Sequence, residues 1–260
     1  MPPFLTSDLA LARRLEAAEA ANGFAMAAGA NAEAEPILGG CALFAGPGSP
    51  MTHALGIGMD PAAAAEFDRL EEFFRARSSA CLIDLCPLAH PTVVEQVTRR
   101  GYKVIEFNNL MLRRAEAVAE PELPGVRIAP CPPDRRGEWG RLILSGFSDG
   151  APLTPEMLAV LDVMAPAGYE LTAEIDGRPA GGAAMSIRNG VALLFGDATL
   201  PDARGRGLQQ ALIRRRVNFA AQAGCDWVIA TVLPGSGSHR NYERAGFHLA
   251  YMRVNLMREL

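Results

Sequence analysis

Lysine is nearly missing from this 260-residue chain: of its 25 basic residues only Lys103 is not an arginine. That bias is a coding preference and carries no functional content. A surplus of positive charge is missing as well, since 29 acidic residues leave a formal net charge of −4. A general binder of nucleic acid or of anionic membranes needs the opposite balance, although a local basic loop still suffices for a small anion. No apolar run approaches the roughly 18–20 residues of a membrane span. The first fourteen residues carry Asp8 and lack the basic-then-apolar order of a secretory signal. A soluble, cytoplasmic protein without nucleic-acid or membrane partners is therefore expected. The cysteines, Cys41, Cys81, Cys86, Cys131 and Cys225, show no CxxC spacing and sit mostly in apolar stretches, which favours core thiols over a disulfide or metal cluster. His53, His90, His239 and His248 form no HExxH or paired spacing, so no metal site is expected.

What is present is enough apolar residue, 49% of the chain, to exclude disorder of the whole. The length fits one large domain or two ordinary ones. Residues 116–124, with the flanking Ala115 and Gly125, are acidic, carry Pro121 and Pro124 and have Val118 and Leu123 as their only sizeable apolar side chains. That composition marks a linker between residues 1–115 and 125–260.

In the second half, Gly125–Cys131, Tyr169–Ile175, Arg178–Ile187, Val191–Leu200, Cys225–Val232 and Phe247–Met257 read as strands. Helical patterns cover 133–148, 154–165, Leu208 to about Ala223, and 238–245. Asp176-Gly177 and Arg188-Asn189-Gly190 supply turns, and Gly224 and Gly246 supply helix stops. Gln210, Arg214, Asn218 and Gln222 recur every four residues and predict one exposed stripe. The adjacent run Arg214-Arg215-Arg216 reads as a solvated face that steers anions. Trp139 and Trp227 read as packing residues.

The first half repeats the order in shorter form: a helix over Asp8–Ala21, strands over Gly39–Phe44 and Thr52–Met59, a helix over Pro61–Arg77, a strand over Cys81–Leu85, a helix over Pro91–Arg100 and a strand over Lys103–Arg113. Gly101-Tyr102 aligns with Gly246-Phe247 at an offset of 145. The helix from Ala62 aligns with that from Leu208 at 146, and Gly56…Pro61 with Gly196…Pro201 at 140. The first half is thus about six residues short, at the place of Asp202–Gly207. The expected fold is α/β, with two related domains, each a mixed central sheet flanked by helices.

The missing piece is the segment most suggestive of chemistry. Thr199-Leu-Pro-Asp-Ala-Arg204-Gly-Arg-Gly-Leu-Gln209 joins a predicted strand to a predicted helix. A helix start has backbone N–H groups without partners and the positive end of the helix dipole. Glycines let the backbone approach an anion closely. Together these suit phosphate, and Arg204 and Arg206 add charge; the alternative is an ordinary exposed basic turn. The loop is neither a Walker A sequence nor a GxGxxG fingerprint. About 35 residues on stands Ser236-Gly-Ser-His-Arg-Asn-Tyr242-Glu-Arg-Ala-Gly246-Phe247.

With both segments in place, residues 125–260 resemble the GNAT acetyltransferase superfamily, and the whole chain resembles its tandem members with a degenerate first copy. In that family an Arg/Gln-x-x-Gly-x-Gly/Ala loop holds the pyrophosphate of acetyl-CoA, and a later short helix carries Tyr-Glu-Lys/Arg-x-Gly-Phe. Here these are Arg204-Gly205-Arg206-Gly207-Leu208-Gln209 and Tyr242-Glu243-Arg244-Ala245-Gly246-Phe247. Two positions depart from the pattern: Gln209 replaces a small residue, and Gly235 replaces an asparagine whose contact falls to Ser236, Ser238 or Asn241.

The resemblance implies an N-acetyltransferase that moves an acetyl group from acetyl-CoA to an amine by direct attack in a ternary complex. A small-molecule amine is the default acceptor. Tyr242 matches the general-acid tyrosine. The backbone of Ala198, Thr199 and Leu200 would pair with the pantetheine arm, and Arg204–Gln209 and Asn241 would bind the cofactor. Asp197 is the candidate base, with Glu170 and Glu174 as rivals. The first half, lacking the loop, is not expected to bind CoA; its role is shaping the acceptor pocket, self-association or support. A non-catalytic acyl-CoA sensor shares every phosphate-binding feature, and a nucleic-acid contact at the Arg-Gly loop is opposed by the acidic balance.

Overall fold

The computed structural model describes residues 8–28, 32–120, 122–149, 151–154, 157, 158, 160 and 168–260. Most of the helix predicted over 154–165 lies outside them, as does Pro121 of the linker. Strands are β1 (Glu33–Ile37), β2 (Gly40–Phe44), β3 (His53–Leu55), β4 (Cys81–Leu85), β5 (Lys103–Arg114), β6 (Val126–Pro130), β7 (Tyr169–Ile175), β8 (Arg178–Arg188), β9 (Val191–Thr199), β10 (Trp227–Val232) and β11 (His248–Arg258). Helices are α1 (Leu9–Ala28), α2 (Ala64–Arg75), α3 (Pro91–Arg99), α4 (Arg136–Phe147), α5 (Leu208–Gln222) and α6 (Gly237–Arg244). Two of the first-half strands differ from the sequence reading. β1 was not expected, because Pro36 and two glutamates disfavour a strand; it is tolerated at the sheet edge, where a missing N–H costs nothing. The strand expected over Thr52–Met59 stops at Leu55, where Gly56 and Gly58 take φ of +64° and +79°.

Among the described residues, eleven strands form one mixed sheet in the order β1-β2-β3-β4-β11-β5-β10-β9-β8-β7-β6. Two parallel pairs, β3/β4 and β9/β10, sit symmetrically about the central β11/β5 pair. The last strand of each half has crossed over: β5 pairs with β10 and β11, while β11 pairs with β4 and β5. The linker divides the sequence, but the sheet runs unbroken across both halves. Side-chain alternation along β5 places Leu110 and Leu112 in the core beneath α1, and Met111 in the core beneath α5 and α6. Helices α1 and α4 thus cover one face, and α2, α3, α5 and α6 the other.

The internal repeat is visible in matching chain closures. Gly196 takes φ +65°, against +64° at Gly56. Helix α2 closes with Ser79 N–H on Phe74 C=O (3.1 Å), and α5 with Cys225 N–H on Ala220 C=O (3.0 Å). Helix α3 closes with Tyr102 N–H on Val97 C=O (3.1 Å), and α6 with Phe247 N–H on Tyr242 C=O (3.0 Å). These bonds fix the residue correspondences used below.

Polar side chains also lock the halves together. Arg253 on β11 donates from Nε to Glu16 (3.0 Å) and from Nη1 to Glu19 (3.0 Å) on α1, and Tyr251 Oη donates to Glu16 (2.7 Å). Ser186 on β8 donates to Asn22 (2.7 Å). Glu16 and Arg253 are both essentially buried. Breaking such a pair strands a charge in the core and costs about 3–5 kcal/mol. Glu16→Leu is expected to lower the urea unfolding free energy by that amount, and Glu16→Leu with Arg253→Met to recover most of it. Equal losses in the single and double variants would show that the pair contributes nothing beyond packing.

Candidate active site

Gly196 starts the site. Ala183 on β8 faces two β9 residues, Gly196 and Asp197, because the register shifts between the pairs Gly182/Ala198 and Ala184/Phe195. This is a β-bulge, which bends the strand and re-aims a side chain. Phe195 accordingly packs with the α4 cluster, whereas Asp197 turns to the opposite face. Simple alternation along β9 would place these two on one face; the bulge is the reason they part. Beyond it the parallel ladder between β9 and β10 ends at Leu194/Ala230, so the rest of β9 has no ladder partner on the β10 side.

The glycine-arginine loop continues from there. A single 3-10 turn, Pro201–Ala203, leads into Gly205 and Gly207, both left-handed at φ +76° and +79°. Two left-handed glycines around Arg206 turn successive N–H groups toward one side, as in an anion nest. The first helical bond of α5 is Ala211 N–H to Gly207 C=O (3.1 Å). Among the described residues, the N–H groups of Gly205 to Gln210 meet no protein acceptor. Added to the helix dipole, they form a site for a phosphate group.

This helix start opens into a cleft of about 600 Å³. Of the residues singled out in the sequence, Asp197, Ala198, Thr199, Arg204, Gly205, Gly207, Leu208, Gln209 and Asn241 line it, and Leu200, Arg206 and Tyr242 do not. Arg204 serves partly as a clamp: its guanidinium donates to the carbonyls of Thr199 (3.2 Å) and Gly146 (3.0 Å) and pairs with Asp149 (2.5 Å). Arg206 is exposed and forms no ion pair among the described residues. Gln209, the departure from the loop pattern, bridges helices: its amide accepts from Asn241 Nδ2 (2.6 Å) and donates to Ser238 Oγ (3.1 Å). Ser236 caps α6 by accepting from His239 N–H (3.0 Å).

Behind the cleft wall lies a buried polar trio. Tyr242 Oη donates to Asp197 Oδ2 (2.6 Å), and Arg216 Nη2 bonds Asp197 Oδ1. Arg216 also donates to the carbonyls of Ala184 (2.8 Å), Phe195 (3.3 Å) and Leu212 (3.1 Å) and is wholly buried. Burial works most strongly against its charge, but Asp197 and Tyr242 together outweigh that and raise its pKa. Burial, and then the Asp197 charge, push the Tyr242 phenol well above its ordinary value near 10, while Arg216 pulls it down. The phenol is therefore protonated throughout the neutral range.

The arginine run is thus not a solvated face. Arg214 donates to Ala119 C=O (3.0 Å) and Arg215 pairs with Glu120 (2.7 Å), while Asn218 exchanges hydrogen bonds with Val118 (2.8 and 3.0 Å). The stripe read as exposed is covered by the linker at Arg214 and Asn218 and, at Gln210, by the Asn241 carbonyl, while Gln222 is exposed as expected. A sequence signal for Arg216 existed: it shares the buried spacing of Leu212, Ile213, Val217 and Ala220. The rival carboxylates lie elsewhere. Glu170 is buried against Arg136 (2.8 Å), Glu174 pairs with Arg127 (3.5 Å), and neither lines the cleft.

A family model described as the acetyltransferase (GNAT) family matches residues 142–247. Residues 142–247 form a GNAT acetyltransferase domain. The class of activity that follows is acyl-CoA-dependent acyl transfer to an amine. A search of curated protein sequences gave no match. Among solved structures, a GCN5-related N-acetyltransferase from Kribbella flavida is similar over 95% of both chains, with a TM-score of 0.70 at 20% identity. A tandem GNAT protein from the clavulanic acid biosynthesis pathway is similar over 82% of this chain and 76% of its own, with a TM-score of 0.59 at 16% identity. A GCN5-related N-acetyltransferase from Sphaerobacter thermophilus is similar over 70% of this chain and 60% of its own, with a TM-score of 0.55 at 18% identity. These likenesses extend the GNAT fold across both halves of the chain. Among the described residues no helix is long and apolar enough to cross a membrane.

Proposed function

We propose that this chain acetylates a small-molecule amine, with acetyl-CoA as donor, in a ternary complex at the cleft of the second half. The observation that carries the proposal is the row of unpartnered N–H groups from Gly205 to Gln210, opening into the cleft that Asp197 lines. Those N–H groups and Arg206 would hold the pyrophosphate, and the free edge of β9 at Ala198–Leu200 would pair with the pantetheine arm. Bound there, acetyl-CoA supplies an activated acyl group as a thioester; no metal enters the reaction.

The chain's own task is proton traffic. As the amine forms its bond to the acyl carbon, the carbon–sulfur bond breaks and the sulfur departs with the electron pair. Tyr242, buried behind the cleft wall, would give its hydroxyl proton to that sulfur by turning the O–H away from Asp197 as the wall opens beside it. Asp197 Oδ2, freed of its donor, takes the proton released by the amine and later returns it to Tyr242. Protons and electrons balance with no further reactant.

The first half is proposed to bind no CoA. Its equivalent helix start is already satisfied: Ala62 N–H donates to Thr92 Oγ1 (2.9 Å) and Ala63 N–H to Glu66 Oε2 (2.9 Å). The Gly58 carbonyl accepts from His90 N–H (2.8 Å), tying the segment after β3 to the start of α3.

Calorimetric titration with acetyl-CoA, followed by an amine screen that reads CoA release, tests the proposal. Gly205 has open space around it, and aspartate tolerates a left-handed backbone better than most residues. Gly205→Asp is expected to weaken acetyl-CoA about 30-fold, roughly 2 kcal/mol, with little change in Tm. Unchanged affinity would place the donor elsewhere, and binding without turnover of any amine would favour the acyl-CoA sensor.

A further inference from the structure

The two halves differ at three positions that the matching closures bring into register. Asp197 corresponds to Ile57, one residue after Gly196 and Gly56. Arg216 corresponds to Leu70, since each lies four residues before the residue whose carbonyl closes its helix, Ala220 and Phe74. Tyr242 corresponds to Val97, since each supplies the closing carbonyl of its own helix. Ile57, Leu70 and Val97 are buried together in the first-half core. One molecule therefore builds the same left-handed glycine at the strand end and the same pair of covering helices twice, once around three apolar side chains and once around a buried ion pair with a phenol. A buried ion pair seldom improves on well-packed apolar residues in stability. The fold does not call for Arg216, Asp197 and Tyr242, so their presence needs another reason.

We propose that Arg216 is a positioning residue for acyl transfer: it anchors Asp197, aims the Tyr242 hydroxyl, and provides the positive charge beside the phenol oxygen as its proton leaves. This rests on the acyl-transfer reading above. The geometry supports it directly. Arg216 fixes Asp197 through Oδ1, leaving Oδ2 for Tyr242 (2.6 Å). Its Nη1 holds the carbonyls of Ala184 and Phe195, the strand pair that borders the bulge aiming Asp197. The effect of Arg216 on the phenol, opposing both burial and Asp197, has the sign that eases loss of the proton. Arg216 itself does not line the cleft, so it acts through its two partners.

The test compares Arg216→Met, Arg216→Lys and the triple variant Arg216→Leu/Asp197→Ile/Tyr242→Val, which installs the first-half residues. Each is measured for Tm, acetyl-CoA affinity and turnover of an amine that the parent chain acetylates. Arg216→Met is expected to lower kcat about 100-fold, the scale of one positioned proton transfer, with acetyl-CoA affinity within about threefold of the parent. Arg216→Lys is expected to regain about tenfold in kcat. The triple variant is expected to fold, bind acetyl-CoA and show no turnover. Parent-like kcat in a folded Arg216→Met or triple variant would overturn the proposal. So would failure of the triple variant to fold, because the trio would then be a structural requirement. A parent chain that turns over no amine sinks the acyl-transfer reading instead, and is told apart by needing no variant at all.

Discussion

Expressed without residues 1–115, the segment 116–260 is expected not to fold. The family match and the cradle lie wholly in that segment, so a separate domain is the natural first assumption. The sheet argues otherwise. Strand β11 is flanked on both sides by first-half strands, β4 and β5, and β10 has β5 as its outer neighbour. Removing the first half strips β11 of every ladder partner and opens β10 as an edge in the middle of the sheet, with its N–H and C=O groups unpaired. Met111 leaves the core beneath α5 and α6, and Leu110 and Leu112 leave the core that holds Trp227 and Tyr251. Glu16 and Glu19 also vanish from around the buried Arg253. Losses of several kcal/mol at each of these places exceed the 5–15 kcal/mol by which domains are usually stable. Circular dichroism of 116–260 alone should show no cooperative melt. Co-expression with 1–115 should restore one, together with acetyl-CoA binding. A cooperative melt and acetyl-CoA binding by 116–260 alone would mean that β11 can return to β10 and that the exchange is optional.

How much of this was legible in the sequence depended on the range of the forces involved. The cradle was legible because its causes are local: glycines at 205 and 207 and a helix start at Leu208 sit within four residues. Helix ends and strand cores were legible for the same reason. The strand exchange was not, because β5 has the same alternation whether it lies beside β4 or β10. The repeat itself hinted at an exchange only in retrospect, since two similar halves can trade equivalent strands without altering either pattern. Arg216 was misread because a run of three arginines looks like one solvated feature. Consecutive helical residues point about 100° apart, so three of them cannot share a face, and the apolar spacing around Arg216 already placed it inward. Asp197 was found, but its direction was not. The bulge at Gly196 follows from pairing with β8, and local alternation carries no trace of it.

The phenol of Tyr242 carries the other large expectation: Tyr242→Phe should lower turnover by about 100- to 10,000-fold and leave acetyl-CoA affinity within about twofold. The substitution removes one oxygen. The ring stays packed edge-on against Phe247, with centroids 4.9 Å apart, and the only side-chain hydrogen bond lost is the one to Asp197. Such a bond contributes about 1 kcal/mol to stability, so the variant should fold. Tyr242 does not line the cleft, and none of its groups belongs to the N–H cradle, which is why affinity should hold while turnover falls. The pH dependence adds a second readout. Burial and the Asp197 charge push the phenol well above its ordinary value, so it keeps its proton past the pH at which an ordinary tyrosine ionises. Parent turnover should therefore show no loss near pH 10 from ionisation of a tyrosine. A raised pKa also makes the phenol a reluctant donor; in the proposed reaction it would yield its proton only as charge gathers on the departing sulfur, with Arg216 beside it. Stopped-flow detection of the released thiol, with parent and Tyr242→Phe at saturating acetyl-CoA and amine, measures the step directly. A Tyr242→Phe kcat within threefold of the parent would reduce the tyrosine to a packing residue and leave the sulfur to find its proton in water.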